Sequence, residues 1–407
     1  MTWRQPGGYE HAIVGAGVSG LLLAMRLLGD SRSHSGPRIL LVDPRGADDR
    51  RCTLAFWTVG PTPLDQWVLG EWDQLRVIGH DDRIRNLALA DYRYRAIGWE
   101  TARSDILAHL RTDPRVTILE AAGDDVRDGQ HVAAVQVDRQ WIPARWVYDS
   151  RPRPVGSPGH GHRPPGRWVR QVLTLHQTFR GVWVHSAGAR VDPSAATLLD
   201  FSADDGPELG FAYVLPVDEH RAMVMAVRMG PTHELPDPVP AIPLELGVDG
   251  WQVVAEERGD TVLRTPALPR REGRRILAIG SRGGRVRAST GYAVMRMIAD
   301  AQAITASLRQ HGHPFGMPGD PWQDRALDAV WLHALQRERA ALEPAFLALF
   351  SGVPIEVVLR FLDGRASVPD HLRVVAALPP APFLTAAGRL ALGRVAPRAV
   401  ATGPVPD

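Results

Sequence analysis

Three glycines and one aspartate set the first chemistry this chain can do. Gly15, Gly17 and Gly20 have the spacing G-x-G-x-x-G, and Asp43 stands 23 residues beyond the last of them. In that pattern Gly15 permits a tight turn, Gly17 lets backbone approach a pyrophosphate, and Gly20 lets a helix pack closely on a strand. The N–H groups that open the helix point at the phosphate. The acid is placed to hold a ribose hydroxyl. The chemistry is therefore the binding of a dinucleotide. A second turn rich in glycine and hydroxyls, SRGGRVRASTGYA at 281–293, precedes another helix and offers a further anion site.

Composition removes other chemistries. All 47 basic residues are Arg, so a Schiff-base lysine is excluded. The 45 acidic residues leave a net charge of +2, which gives no argument for nucleic acid. The single cysteine, Cys52, cannot form an internal disulfide. His160 and His162 have no Cys or further His at ligand spacing, so no metal is expected there. The opening MTWRQPGGYEH lacks an apolar segment, which predicts a chain without a secretory signal. At 407 residues the chain exceeds what one core usually serves, and two domains or large insertions are expected.

Apolar patterning predicts the elements that position these residues. Residues 12–14 and 39–42 read as strands, with a helix over 18–28 between them. Trp57, Trp67 and Trp72 crowd the next stretch, as core or as walls for a flat or cationic ligand. Residues 103–110 predict a short helix opened by Arg103, and 116–120 a strand. Residues 132–137 and 141–148 alternate as a hairpin, closing on Asp149. Pro and Gly predict a loop over 151–167. From about residue 169, strands over 171–178, 181–185, 211–215 and 222–228 predict a sheet that covers a pocket, before a Pro-rich break at 231–243. A buried strand at 275–280 and a helix from Gly291 return to the first unit. Amphipathic helices fill 324–392, broken by Pro344, Pro354, Pro369 and the prolines of 379–382.

Several of these stretches, in this order, resemble the FAD-containing lycopene cyclases, within the wider flavoprotein group that shares the p-hydroxybenzoate hydroxylase fold. The glycine turn and Asp43 match that group's ADP site. TLAFWTVGPTPLDQWV (53–68) is similar to the family's Thr-Trp-Cys-Phe-Trp region. HQTFRG (176–181), LLDF (198–201) and FAYVLP (211–216) follow in family order. ASTGYA (288–293) is similar to the Pro-Ser-Thr-Gly-Tyr segment beside the flavin, and RFLDGRASVPDHLRVV (360–375) to the family tail. The resemblance covers most of the chain. It implies an α/β fold with a Rossmann-type FAD-binding domain (1–168 plus 270–320), a β-rich substrate domain (169–269) and a helical C-terminal region (321–407). It implies FAD in reduced form, with NAD(P)H as a candidate reductant. The residues it assigns to that cofactor are Gly15, Ala16, Gly17, Gly20, Asp43, Arg50, Arg103, Asp149, Ser289, Thr290, Gly291 and Tyr292.

One departure bears on the chemistry. The family carries an acidic pair on the strand after its Tyr-x-Leu-Pro motif, and here those positions fall on Met225 and Ala226. Neither donates a proton. Cyclising a linear polyene needs an acid that protonates a terminal double bond in a dry, apolar site, and then loss of another proton. Asp200, within the family-like LLDF, is the first candidate for that acid and Glu257 the second. The functions that follow are a non-redox terpenoid or carotenoid cyclase, a flavin monooxygenase or oxidoreductase on a hydrophobic substrate, and a non-catalytic binder of flavin or lipid. The expected partner is a polyene or prenylated molecule, with no nucleic acid. The expected location is cytoplasmic; the Arg-bearing apolar tail helices are suited either to packing on the protein or to peripheral contact with the inner membrane.

Overall fold

A computed structural model describes residues 8–29, 36–44, 52–152, 172–202, 208–231, 233–236, 250–267, 269–338 and 341–392. In chain order the strands are β1 (Tyr9–Val14), β2 (Ile39–Val42), β3 (Thr53–Thr58), β4 (Val68–Trp72), β5 (Gln74–Ile78), β6 (Ile84–Ala88), β7 (Arg93–Gly98), β8 (Val116–Leu119) and β9 (Asp125–Arg127). They continue as β10 (Ala133–Val137), β11 (Gln140–Asp149), β12 (Leu173–His185), β13 (Ala196–Asp200), β14 (Leu209–Asp218), β15 (Arg221–Gly230), β16 (Gln252–Thr265) and β17 (Ile276–Ala278). The helices are α1 (Val18–Gly29), α2 (Trp99–Arg111), α3 (Val294–His311), α4 (Trp322–Arg337), α5 (Leu342–Gly352), α6 (Ile355–Leu362), α7 (Val368–Ala377) and α8 (Pro380–Ala391).

The first sheet runs β8-β2-β1-β11-β10-β9, with β17 also on β11. β8, β2, β1, β11 and β17 are parallel, whereas β10 and β9 join antiparallel. Every residue of β2 is buried, as a parallel strand covered on both faces requires. Leu21 and Ala24 of α1 share one core with Ile106 of α2 and with Ile298, Ala301 and Ile304 of α3. The β1-α1-β2 crossover puts the glycine turn at the carboxyl ends of the parallel strands, where such sheets leave a crevice.

The second sheet runs β16-β12-β15-β14-β13-β5-β6. Side chains alternate between its faces. One face buries Met223, Met225, Val227 and Met229 against α4 to α6, in the core that holds Trp331, Phe346 and Phe361. The other carries a small cluster built on Val182, Val184, Val214 and Val224. A third sheet, β3-β7-β4, is formed by strands that follow β2 and precede β8 in the chain.

Several elements differ from expectation for physical reasons. The helix expected to open at Arg103 begins at Trp99, whose burial and the first-turn acid Glu100 extend it by one turn. The two strands expected over 171–185 are one, β12, because Gly181 continues the ladder without a side chain. The strand expected over 275–280 is only β17, ended by Gly280 in a left-handed conformation. The helix expected from Gly291 starts at Val294. β5 and β6, from within residues 1–168, pair into the second sheet, since alternation predicts a strand but not its partner. The tail prolines mark helix starts: Pro354 caps α6, and Pro369 and Pro380 sit in first turns, where a missing N–H costs nothing. Among the described residues no single helix is long and apolar enough to cross a membrane.

Candidate active site

The glycine turn is built as its spacing predicts. Gly15 has φ +103°, and a Cβ there would lie 2.1 Å from Ser150 Oγ. A Cβ on Gly20 would lie 2.0 Å from the Gly15 carbonyl oxygen, so helix and turn touch backbone to backbone. A Cβ on Gly17 would meet nothing within 4 Å, which leaves that backbone open to a ligand. Ser19, in the first turn of α1, has a buried Oγ without a hydrogen-bond partner. The Ala16 N–H donates to Asp43 Oδ2 (2.5 Å), and Arg103 bonds both the Ala16 carbonyl (3.3 Å) and Asp43 Oδ1 (3.4 Å). Glycine turn, Asp43 and Arg103 thus form one buried unit that fits a pyrophosphate-bearing dinucleotide. Arg50 lies outside the described residues, as do His160 and His162.

Asp149 pairs in register with Val14 and is fully buried. Its oxygens accept from the Arg151 N–H and Nε (both 3.0 Å) and Nη2 (2.8 Å), with Arg282 Nη2 at 3.4 Å. It therefore anchors two arginines beside the glycine turn. In the second turn, the Ser289 hydroxyl donates to Asp328 (2.7 Å) and accepts from Arg287 Nε (3.1 Å), while the Thr290 hydroxyl donates to the Leu362 carbonyl (3.0 Å). Gly291 has φ +78°, and a Cβ there would lie 1.8 Å from Gln177 Oε1 on β12. This glycine allows the second turn to touch the second sheet. Tyr292 then stands edge-on to Trp57, with ring centroids 4.4 Å apart.

A buried carboxylate, Glu257, lies on the inner face of the second sheet. Tyr213, Met225, Gly181 and Glu257 form one register row across β14, β15, β12 and β16. All four lie on the inner face. Glu257 accepts from the Thr53 N–H (2.7 Å), the Thr53 hydroxyl (2.6 Å) and Trp183 Nε1 (2.6 Å). Trp183 and Tyr213 beside it, and Tyr292 beside Tyr213, are each part-accessible. Burial first, and then the charge of Glu257, pushes the Tyr213 phenol well above its usual value. Burial, with Glu257 and Glu100 nearby, pushes the Cys52 thiol up to about 12, so this cysteine is no nucleophile. The site is a carboxyl group walled by aromatic rings, with the second turn at its edge.

A model of the lycopene cyclase protein family matches residues 11–388. The chain belongs to the lycopene cyclase family. The lycopene beta-cyclase of Pantoea ananas is 25% identical over 410 residues, covering 93% of this chain and 97% of that protein. A geranylgeranyl bacteriochlorophyll reductase-like protein from Thermoplasma acidophilum superimposes with a TM-score of 0.54 at 13% identity, covering 94% of this chain and 99% of that one. CtdE, solved in complex with FAD and a substrate, gives 0.53 at 10% identity, covering 93% and 99%. At such identities these structures show the fold alone, and it is the flavoprotein fold expected from the sequence.

Within the lycopene cyclase family pattern, the two positions that lack acids now have places. Met225 is on the inner face, whereas Ala226 pairs with Arg180 and Ala212 on the outer one. Of the two positions, only Met225 belongs to the inner-face core. Asp200 ends β13 opposite Ala212, next to Phe201, whose ring packs on Phe211 of the inner face. Alternation turns Asp200 away from that face. Its Oδ1 accepts from the Ser202 N–H (2.9 Å) and hydroxyl (2.5 Å). Of the two candidate acids, Glu257 lies on the inner face, whereas Asp200 is fully buried on the other side with its Oδ2 unpartnered. Thr53, Trp183 and Tyr213 were not singled out as partners of Glu257, because the register of β12 with β16 is not written in either strand. A cleft of about 460 Å³ between residues 58–63, α3 and residues 317–320 is lined by neither Glu257 nor the glycine turn.

Proposed function

We propose that this chain is an FAD-dependent, non-redox cyclase that closes a ring on a polyene or prenylated substrate, with Glu257 as the acid. The observation that carries this reading is the inner-face row Tyr213–Met225–Gly181–Glu257, whose one carboxyl group is Glu257, two strands away from Met225 and hydrogen-bonded to Trp183. A protonated carboxyl must give its own hydrogen bond to an acceptor. Of the three groups on Glu257, the Thr53 and Trp183 N–H groups can only donate, while the Thr53 hydroxyl can turn and accept. The Thr53 hydroxyl is thus the one of the three that could accept the proton's hydrogen bond, and in doing so it would release its own O–H from Glu257.

Transfer of that proton to a terminal double bond leaves a carbocation, which an internal double bond attacks before another proton departs. Trp183, Tyr213, Tyr292 and Trp57 offer ring faces and exclude water, worth about 0.5–2 kcal/mol per cation–π contact. Gly15, Ala16, Gly17, Gly20, Asp43 and Arg103 would hold the cofactor's phosphate and ribose end, and Ser289–Tyr292 its ring end. The chemistry a reduced flavin supplies there is fixed negative charge in a low dielectric. Met225 and Met223 line the same face and add apolar wall.

The test is mass spectrometry of products formed from candidate polyenes by the holoprotein with reduced flavin. A product isomeric with its substrate supports cyclisation. A product that has gained an oxygen atom overturns it in favour of monooxygenation.

A further inference from the structure

We propose that His176, Asp260 and His233 form a binding site for a divalent transition metal of the zinc class, on the outer face of the second sheet. His176 lies on β12 and Asp260 on β16, diagonal neighbours two residues apart in register, since His176 pairs with Val262 and Thr178 with Asp260. Both have the parity opposite to Gly181 and Glu257, so the cluster is separated from the aromatic site by the sheet itself. His233 comes from the segment that follows β15, whose end, Gly230, pairs with His176. The Thr178 hydroxyl donates to the Glu234 carbonyl (2.8 Å) and fixes that segment next to the sheet.

The distances fit a tetrahedral edge. Metal–ligand bonds of about 2.0–2.2 Å place neighbouring ligand atoms of a tetrahedron about 3.4 Å apart. His176 Nδ1 is 3.2 Å from both Asp260 oxygens, and His233 Nδ1 is 3.3 Å from Asp260 Oδ2. The third edge is within 4.8 Å, and the two imidazole centroids are 3.6 Å apart. His176 is buried and its place is set by two strands, whereas His233 is 60% exposed and free to swing the remaining distance. Two borderline imidazoles outweigh one hard carboxylate, and the set suits zinc, copper or nickel rather than magnesium or calcium. Solvent completes the shell. A metal here pins residues 233–236 to β12 and β16 and takes no part in chemistry on the inner face.

The test uses the full-length protein, stripped with chelator and titrated with Zn²⁺ by calorimetry and with Co²⁺ by absorption. One equivalent of zinc is expected to bind, with the intense visible bands of tetrahedral Co²⁺. His233→Ala and Asp260→Asn are each expected to weaken binding by about a hundredfold or more. His80→Ala, at an unrelated surface pair with Glu343, is expected to change nothing. Equal binding in wild type and the two site variants, or only the weak bands of six-coordinate Co²⁺, means adventitious binding and overturns the proposal. Neither outcome touches the cyclase reading, whose site is on the other face.

Discussion

Replacing Glu257 with Gln separates its proposed role as acid from its role as hydrogen-bond acceptor. The shape is kept and the proton is removed. In the wild type, Oε1 accepts from the Thr53 hydroxyl and Trp183 Nε1, and Oε2 from the Thr53 N–H. A Gln oxygen can keep the first pair, but its amide nitrogen then faces the Thr53 N–H, donor against donor. One unsatisfied buried donor costs about 1–3 kcal/mol of stability. Losing general acid catalysis costs about 10²–10⁴-fold in rate, or roughly 3–5 kcal/mol of barrier. The variant is therefore expected to fold, to keep its flavin and to lose almost all cyclised product. The assay is product formation at matched flavin content, read by chromatography. Adding Met225→Glu to that variant supplies a second test. A Cβ on Gly181 would lie 2.8 Å from Met225 Cε, so the Met225 chain already reaches across Gly181 toward β16. Partial return of cyclisation in the double variant is expected. Wild-type rate in Glu257→Gln alone would refute the assignment.

Further expectations concern the cofactor turn, the other acid and the tail. Gly17→Val should bind little flavin yet melt close to the wild-type apoprotein, because the added carbons enter open space; Gly20→Ala should lose both, since its Cβ would strike the Gly15 carbonyl at 2.0 Å. Flavin-to-protein ratios and apoprotein melts check the pair, and full flavin in Gly17→Val would contradict the placement. Asp200→Asn should cyclise within a few-fold of wild type, and a loss comparable to that of Glu257→Gln would restore Asp200 as the acid. Burial raises the Asp363 carboxyl to about 6, against the opposing pull of Arg365, Arg296 and Arg287. A carboxyl raised on folding favours the folded state below its unfolded value of 3.8 and loses that contribution as pH rises through about 6. Wild type should lose on the order of 3 kcal/mol of stability relative to Asp363→Asn between those limits. Parallel stability curves for the two proteins would show that the shift is absent.

The sequence made the first unit legible because its signals are local. Gly15, Gly17 and Gly20 and the apolar residues on either side specify strand, turn, helix and strand within one short stretch, and Asp43 follows from strand length. Gly291 was legible as part of a turn, but its reason, the approach of Gln177, lies across the molecule. The proposed acid was legible only as a choice between two residues. Asp200 drew attention through its motif, yet alternation past Phe201 turns it outward. Glu257 had no motif. What recommends it is register: Gly181 opposite both Met225 and Glu257, a relation among three strands that no one of them encodes. The His176–Asp260–His233 cluster was missed for the same reason, since its members come from two strands and a loop.

The reading rests on a proton that moves from Glu257 to carbon, and running the reaction in deuterium oxide tests that step. Wild-type holoprotein with reduced flavin should yield a ring product that carries one solvent-derived deuterium per ring closed and is otherwise isomeric with its substrate, while Glu257→Gln should yield almost none. A cyclised product free of deuterium, or an oxygenated one, would contradict protonation by this carboxyl group.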